Sequence, residues 1–301
     1  MHYQEDIHIY RKFINKQIGI SMSVPEDGSD FDPDYYNKII DKQREIVRYL
    51  QYSGLTIGFG GDFRSLSAQG ITLSLIQQLS HNSHLKYRQR NLLVNYVAWP
   101  ISIIMSPADF SENPDKMSCR LISMPKELME DADPRVFIPP GNINQKYCWA
   151  RSLSSMRQQM ARHMDSRVAI CGKPSSYKGF HAGVLEEIYW TMRYNKPVFL
   201  LGSFGGVTKD IAAALAGEVP EHLTEEYQRQ DYDRANFLDY ARLKMGDEFI
   251  CPNEIITFFN ERGLDGLNNG LSEEENEHLI KTNHVSEMIT LMIKGLTYTF
   301  G

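Results

Sequence analysis

Short apolar runs alternate with helical periodicities over the first third of the chain. We predict strands at Gln17–Ser23 and Leu55–Phe59, because each is a short, mainly apolar run that is followed by acidic or glycine-rich sequence. Between them, Tyr36–Tyr52 carries apolar residues on one helical face, and Ala68–Ser80 repeats this pattern. The order strand, helix, strand, helix is typical of a parallel sheet with helical crossovers.

The middle of the chain has a less regular pattern. The run Asn91–Met105 is apolar enough for one or two strands, interrupted at Pro100, and Cys119–Met124 is a further strand candidate. Asn144–Met164 then has the spacing of a helix with one buried stripe that is rich in methionine.

The segment Arg167–Gly206 carries the strongest functional signal. It is predicted to contain a strand, a glycine turn, a helix, a second strand, a second glycine turn and the start of another helix: Arg167–Cys171, Gly172, Val184–Tyr194, Pro197–Leu201, Gly202–Gly206 and Val207–Leu215. The carboxyl ends of parallel strands meet at one sheet edge, where α/β folds bind nucleotides and related anions.

Residues beyond Glu218 are predicted to be mainly helical. The clearest helices are Asp231–Met245, Asn253–Arg262 and Val285–Lys294, and Ser272–Glu275 has the sequence of a capping box. The predicted fold class is therefore α/β: a Rossmann-like parallel sheet with helices on both faces and a helical C-terminal tail.

Composition and charge exclude several classes of protein. The 301 residues are 42% hydrophobic and 23% charged, which is typical of a globular domain, and the net charge of −6 disfavours a general nucleic-acid binder. No apolar run approaches the ~20 residues of a membrane span, and the N-terminus lacks an apolar signal core, so we expect a cytoplasmic protein without a membrane partner.

The cysteines predict no metal centre. Cys119, Cys148, Cys171 and Cys251 are scattered, with no CxxC pair and no histidines at zinc-site spacing. We expect them to be small buried hydrophobes, and we expect neither a metal nor a tightly bound cofactor.

Two glycine-rich turns are candidate ligand contacts. Gly60-Gly61-Asp62-Phe63-Arg64 follows a predicted strand: its glycines permit close backbone approach, Asp62 suits ribose hydroxyls and Arg64 suits a phosphate. Asp62 as a helix N-cap in a tight turn is the alternative. Gly202-Ser203-Phe204-Gly205-Gly206 opens a predicted helix and suits an anion, or is simply a short turn, and it matches neither the Walker loop nor GxGxxG.

Acidic and basic residues flank these turns. Glu186 and Glu187 lie in the first turns of a predicted helix, where they offset its dipole, and a functional role requires a carboxylate that faces the ligand. Arg151 and Arg157 are predicted to lie mid-helix beside buried methionines, so each requires an anionic partner from the protein or a ligand.

Together these motifs resemble the SLOG superfamily, the Rossmann-like domains named after the DNA-processing protein DprA and the Lonely Guy enzymes. The residues that carry the resemblance are, in chain order, Gly60–Arg64, Asn95–Pro100, Ser155–Met160, Val168–Gly172, Gly183–Glu187, Lys196–Val198 and Gly205–Gly206. The resemblance is closest to the SLOG modules of bacterial anti-phage systems, including that of the Thoeris effector. It implies a single domain over residues 15–296, with 218–301 as a mostly helical extension and no second enzymatic domain attached.

The resemblance to Lonely Guy enzymes implies hydrolysis of the N-glycosidic bond of a nucleotide. Glu187 matches the glutamate of the family motif PGGxGTxxE, and Arg157 lies near the family's arginine, at whose spacing this chain has Met156. Two departures weaken this alternative: Val184 replaces the threonine of the motif, and an insertion, PSSYKGFHA, separates Lys173 from Gly183.

The resemblance to Thoeris-type modules implies a sensor of an ADP-ribose-like or other nucleotide-derived signal. In a sensor the output is self-assembly as a homo-oligomer or a partner effector protein. The ligand-binding residues implied are Gly60, Gly61, Asp62, Arg64, Arg157, Gly172, Lys173, Lys178, Gly183, Glu187, Gly202, Phe204, Gly205 and Gly206. Tyr177, Phe180 and Phe204 are candidates to stack on a base, or else pack locally. A DprA-like DNA-binding scaffold is disfavoured by the acidic balance.

Overall fold

The computed structural model describes residues 13–23, 33–61, 92–105 and 117–301. In these residues six parallel strands form one sheet in the order β4-β3-β2-β1-β5-β6. The strands are β1 (Gln17–Ser23), β2 (Thr56–Gly60), β3 (Leu93–Ala98), β4 (Met117–Ile122), β5 (Ser166–Cys171) and β6 (Val198–Leu201). The predicted Rossmann-like α/β class is confirmed.

The α-helices follow the predicted periodicities closely. They are α1 (Pro33–Tyr52), α2 (Ile143–His163), α3 (Gly183–Arg193), α4 (Gly206–Leu215), α5 (Glu225–Gln228), α6 (Tyr232–Met245), α7 (Pro252–Arg262), α8 (Glu273–Lys281) and α9 (Val285–Phe300). The capping box predicted at Ser272–Glu275 is present at the start of α8. The predicted helix Ala68–Ser80 lies outside the described residues. Within the predicted strand region Asn91–Met105, the described residues 92–105 contain one strand, β3, followed by a 3₁₀ turn.

Strand alternation assigns the two faces of the sheet. In β1, Ile18, Ile20 and Met22 pack into a core that includes α1 and α9, whereas Gly19 and Ser21 face the opposite side. Helix α2 packs on that opposite side against β3 and β2, and α3 packs there against β1 and β5. The small residues of β1 leave room there for the buried polar side chains described below.

The order of the strands creates a switch point between β1 and β5. From β1 the chain adds β2, β3 and β4 on one side, and then returns to add β5 and β6 on the other side of β1. The crevice outside the carboxyl ends of β1 and β5 is therefore the position at which open α/β sheets bind ligands.

The C-terminal helices complete the core and do not form a separate tail. Met288, Met292 and Leu296 of α9 are each 0% exposed and belong to the same apolar cluster as Phe13 and Ile18 near the start of the chain. The predicted C-terminal helices are therefore confirmed, and they cover a sheet face that would otherwise be open to water.

Two further expectations concern membranes and cysteines. Within the described parts of the chain, none of the helices combines the length and the hydropathy that crossing a bilayer requires. All four cysteines are free thiols; Cys148 and Cys171 are buried as predicted, whereas Cys119 and Cys251 are only half-buried. Burial raises the pKa of the Cys119 and Cys148 thiols to about 11.

Candidate ligand-binding site

The carboxyl ends of β1 and β5 are joined by hydrogen bonds to the backbone and the side chain of Ser23. The Gly172 amide donates to the Ser23 carbonyl at 2.8 Å, and the Lys173 amide donates to Ser23 Oγ at 3.0 Å. The Val207 amide donates to the Gly172 carbonyl at 3.0 Å, which brings the start of α4 to the same point. Three elements that are distant in sequence thus meet at the switch point, and Gly172 lies at their centre.

Gly205 and Gly206, at the start of α4, differ in what surrounds them. Both have positive φ, 73° at Gly205 and 61° at Gly206. A Cβ at Gly206 would lie 2.5 Å from the Gly172 carbonyl oxygen, so this glycine permits α4 to dock on β5. A Cβ at Gly205 would meet nothing within 4 Å, so Gly205 borders open space. Among the residues that the structure describes, no side chain caps α4 at Gly205, so this helix start is suited to an anion.

Helix α1 forms the neighbouring wall of this edge. The Tyr35 hydroxyl donates to the Phe204 carbonyl at 3.0 Å, and burial raises the Tyr35 pKa. The Lys42 ammonium lies 5.4 Å from the centre of the Phe204 ring. We call the surface bordered by Ser23, Tyr35, Gly172 and Gly205, which is open as far as the described residues are concerned, the glycine edge.

Other predicted glycines have neighbours that account for them without a ligand. A Cβ at Gly60 would lie 3.2 Å from Met156 Sδ, and one at Gly202 would lie 2.8 Å from Ile280 Cγ2, so helix packing explains both glycines. The Gly61 carbonyl accepts a 3.2 Å hydrogen bond from Asn95 Nδ2. Asp62 and Arg64 lie outside the described residues.

Glu187 lies in a buried polar network on the α3 face of the sheet. Its Oε2 is 2.7 Å from Nη1 of Arg167, whose side chain is wholly buried, and it also accepts from the Ser21 hydroxyl. Arg167 donates further to Ser21 Oγ at 2.6 Å and, through Nε, to Thr191 Oγ1 at 2.7 Å. Complete burial lowers the pKa of the Arg167 guanidinium, and the Glu187 carboxylate opposes that shift.

Arg157 has the anionic partner that its position in the sequence requires. Its Nη1 is 2.5 Å from Glu186 Oε2, and both side chains are at least nine-tenths buried. A Cβ at Gly183 would lie 3.0 Å from Arg157 Nη2, so this glycine allows the start of α3 to cover the guanidinium. Arg151, predicted to need a partner as well, pairs with Glu127 at 2.6 Å.

The aromatic candidates divide into buried and accessible rings. Phe204 is 4% exposed and packs in the core that contains α1 and α9. Phe180 is 3% exposed and stacks on Phe237 with ring centres 5.9 Å apart. Local packing therefore describes these two rings, whereas Tyr177 lines an accessible cleft.

The cleft has a volume of 540 Å³, and some of its lining residues follow Gly172 of the glycine edge closely in the sequence. Its walls are the Ser175–Lys178 loop, the end of α5 and the start of α6. We call it the α6 cleft. Lys178 lines it, and its ammonium lies 5.1 Å from the centre of the Trp149 ring. Across the described residues, no three His, Cys, Asp or Glu side chains are grouped as metal ligands.

Two arginines were missed by sequence reasoning. Arg167 lies at the start of an apolar strand. The available signal was in β1, where small residues alternate with apolar ones and so leave room for a polar side chain inside. Arg234 lies in an ordinary-looking helix, and only the fold brings it to the insertion, where it donates to the Gly179 carbonyl at 2.9 Å and to the Phe180 carbonyl.

A comparison with protein-family models agrees with the motifs. A family model described as SLOG cluster2 matches residues 12–279. No curated protein matches the chain. Among solved structures, the X-ray structure of TM1055, a structural genomics target, is 17% identical, covers 73% of this chain and 88% of that chain, and has a TM-score of 0.37. The family match spans most of the sequence and confirms the predicted superfamily: the chain belongs to the SLOG cluster2 family.

Proposed function

We propose that this protein binds a nucleotide-derived ligand at the glycine edge. The observation that carries the proposal is the open space at Gly205, where the uncapped start of α4 meets the carboxyl ends of β1 and β5. The Gly205 and Val207 amides are already hydrogen-bonded to the Gly202 and Gly172 carbonyls, but the positive end of the α4 dipole at this helix start still suits a phosphate group. Membership of the SLOG family supports a nucleotide as the source of that phosphate.

Binding without turnover is the form of this function that the site supports best. A glycosidic hydrolase needs a carboxylate that contacts the ribosyl group as positive charge develops there. The Glu187 carboxylate instead contacts Arg167 and Ser21, and the residue is 8% exposed. Its negative charge is already offset by a guanidinium, so it is poorly suited to stabilise a second cation.

The proposed ligand is an ADP-ribose-like signal, and the proposed setting is a bacterial anti-phage system. The resemblance of the motifs to the SLOG modules of such systems supports this assignment. The proposed output is a change of self-assembly or the engagement of a partner effector, since a bound signal has to alter a surface that another chain contacts.

Calorimetry with a panel of nucleotides tests the proposal. The panel is NAD, ADP-ribose, cyclic ADP-ribose isomers and short cyclic oligonucleotides. We expect at least one to bind, light scattering to report the change of assembly, and Gly205→Ala to weaken the binding at least tenfold, because its methyl group enters the space that a phosphate would occupy. Base release from NAD and from nucleoside monophosphates should stay at the buffer rate.

Gly217→Ala is the matched control. Gly217 has a φ of 87° and also borders open space, but it follows the opposite end of α4. Both substitutions place a Cβ on a backbone with positive φ, at a cost of about 1–3 kcal/mol each, so a thermal melt of each variant accompanies its binding measurement. Absence of binding across the panel, or equal affinities in the two variants, contradicts the proposal.

A further inference from the structure

We propose that the α6 cleft binds the base and ribose of the ligand whose phosphate lies at the glycine edge. This inference rests on the proposed function and adds to it a specificity site, built from the insertion after Lys173 and from helices α5 and α6. The inferred ligand is a nucleotide with an aromatic base, because a sugar phosphate without a base would leave the cleft empty.

The size and lining of the cleft suit a base. Its 540 Å³ lies within the range of roughly 300–1,000 Å³ that is usual for small-molecule sites. Three aromatic side chains line it, Tyr177, Tyr227 and Phe237. Because Arg234 lies over the Tyr177 and Phe237 rings and Phe180 stacks on Phe237, Tyr227 is the ring on which the π face of a base can stack. The Tyr227 ring is held edge-on against the His222 ring with centres 4.9 Å apart, so its orientation is fixed before a ligand arrives.

Polar groups in the cleft are also held in place. The Arg234 guanidinium lies 4.5 Å from the centre of the Tyr177 ring and 5.3 Å from that of Phe237. Gln228 accepts from the Tyr177 hydroxyl and donates to the Pro174 carbonyl at 3.1 Å. Side chains that are already ordered lose little entropy on binding, so this wall is preorganised.

The mixed charge of the cleft matches a nucleotide better than a simple anion. Lys146, Lys178 and Arg234 supply positive charge, and Asp231 and Asp233 supply negative charge. The Asp231 carboxylate is occupied as the N-cap of α6, where it accepts from the Arg234 amide at 2.8 Å. Asp233 is then the carboxylate suited to ribose hydroxyls, and the cations suit a phosphate that enters from the glycine edge.

The cleft and the glycine edge are close enough for one ligand. Gly172 borders the edge and Ser175 lines the cleft, and three residues of extended chain span at most about 11 Å. This is comparable to the span from a 5′ phosphate, across a ribose, to the far side of a purine. Ser176, on the same lip, has a φ of 56°, a strained conformation for serine of the kind that collects at binding sites.

Base-specific loss of affinity tests the inference. We expect Tyr227→Leu to weaken the binding of ADP-ribose roughly tenfold, because leucine fills the space but offers no π face. Ribose 5-phosphate, which has the phosphate without the base, should bind Tyr227→Leu as it binds the unaltered protein. Tyr232→Leu is the matched control, because Tyr232 is 77% exposed and outside the cleft lining.

A second variant distinguishes loss of the base site from a folding defect in Tyr227→Leu. Ser175→Trp alters an exposed residue at the mouth of the cleft and should exclude the base while it leaves the melting temperature unchanged. If both variants bind ADP-ribose as the unaltered protein does, the cleft is not the base site even though the glycine-edge function stands. If the unaltered protein binds no compound, the proposed function fails and this inference fails with it.

Discussion

Glu187 faces a wholly buried guanidinium, and that neighbour determines what its carboxylate contributes. Arg167 is 0% exposed, and its charge in the interior is offset by Glu187 at 2.7 Å and by the hydroxyls of Ser21 and Thr191. Removal of one member of a buried pair leaves an uncompensated charge, which is far more costly than removal of both members.

We predict that Glu187→Leu lowers the free energy of unfolding by about 3–5 kcal/mol. The double variant Arg167→Met/Glu187→Leu should recover most of that loss, because it leaves no charge in the core. Urea denaturation of the single and double variants measures both effects. Glu261→Leu, at an exposed position of α7, is the control and should change the free energy by less than about 0.5 kcal/mol. A loss at Glu187 no larger than this control would mean that the carboxylate is free to serve a ligand.

At this scale the sequence predicted that Arg151 and Arg157 need anionic partners from the protein or a ligand, but not which pairs form. Arg157 was expected to be partly buried because it lies mid-helix beside methionines, and the pair with Glu186 confirms this. The pair of Glu187 with Arg167 depends on the register between β1 and β5, which places Gly19 beside Arg167. Single-sequence periodicity does not contain that information.

At the scale of elements, the contact between β5 and α4 determines the shape of the glycine edge. The Val207 amide and the Gly172 carbonyl form the 3.0 Å hydrogen bond that holds the helix to the strand end. The absent side chain of Gly206 makes this approach possible, because a Cβ would lie within 3.0 Å of several backbone atoms of Cys171 and Gly172. Backbone atoms cannot rotate away as the end of a flexible side chain can.

Neighbouring glycines should therefore respond differently to the same change. We predict that Gly206→Ala lowers the melting temperature more than Gly205→Ala, because both place a Cβ on a positive-φ backbone, at about 1–3 kcal/mol each, and only Gly206→Ala adds a clash with backbone atoms. Differential scanning calorimetry of the two variants makes the comparison. Equal shifts would mean that α4 can move away from β5 without loss, and that the glycine edge is not fixed by this contact.

The periodicity of the sequence predicted where helices begin and end, but it did not predict why individual positions are glycine. The predicted helix Asn144–Met164 is observed as Ile143–His163, because its apolar stripe packs on the sheet as the spacing indicates. Gly60 and Gly202 were assigned to a ligand because each follows a strand. Each also fits against a side chain that comes from a distant part of the sequence, Met156 and Ile280, and no local pattern reveals such a neighbour.

At the scale of the whole molecule, residues beyond 218 and the sheet bury one continuous apolar cluster. Leu296 and Met292 of α9 are 0% exposed in the cluster that includes Ile18 and Ile57 of the sheet, and α8 packs on β6. A helix that covers a sheet face in this way cannot leave without exposing the strands beneath it to water. The C-terminal helices and the sheet should therefore unfold together.

The positions of the tryptophans make this prediction measurable. Trp99, Trp149 and Trp190 are the three tryptophans of the chain, and all precede residue 218, so their fluorescence follows the sheet and its first helices. Leu296→Ala in α9 should cost about 2–5 kcal/mol through the cavity it leaves. If the molecule is one cooperative unit, the urea midpoint detected by tryptophan fluorescence should fall as far as the midpoint detected by circular dichroism. Leu243→Ala makes the same change at a position 83% exposed and should move neither midpoint. A fluorescence midpoint that stays in place while the circular dichroism transition shifts would instead identify α9 as a separately folding extension.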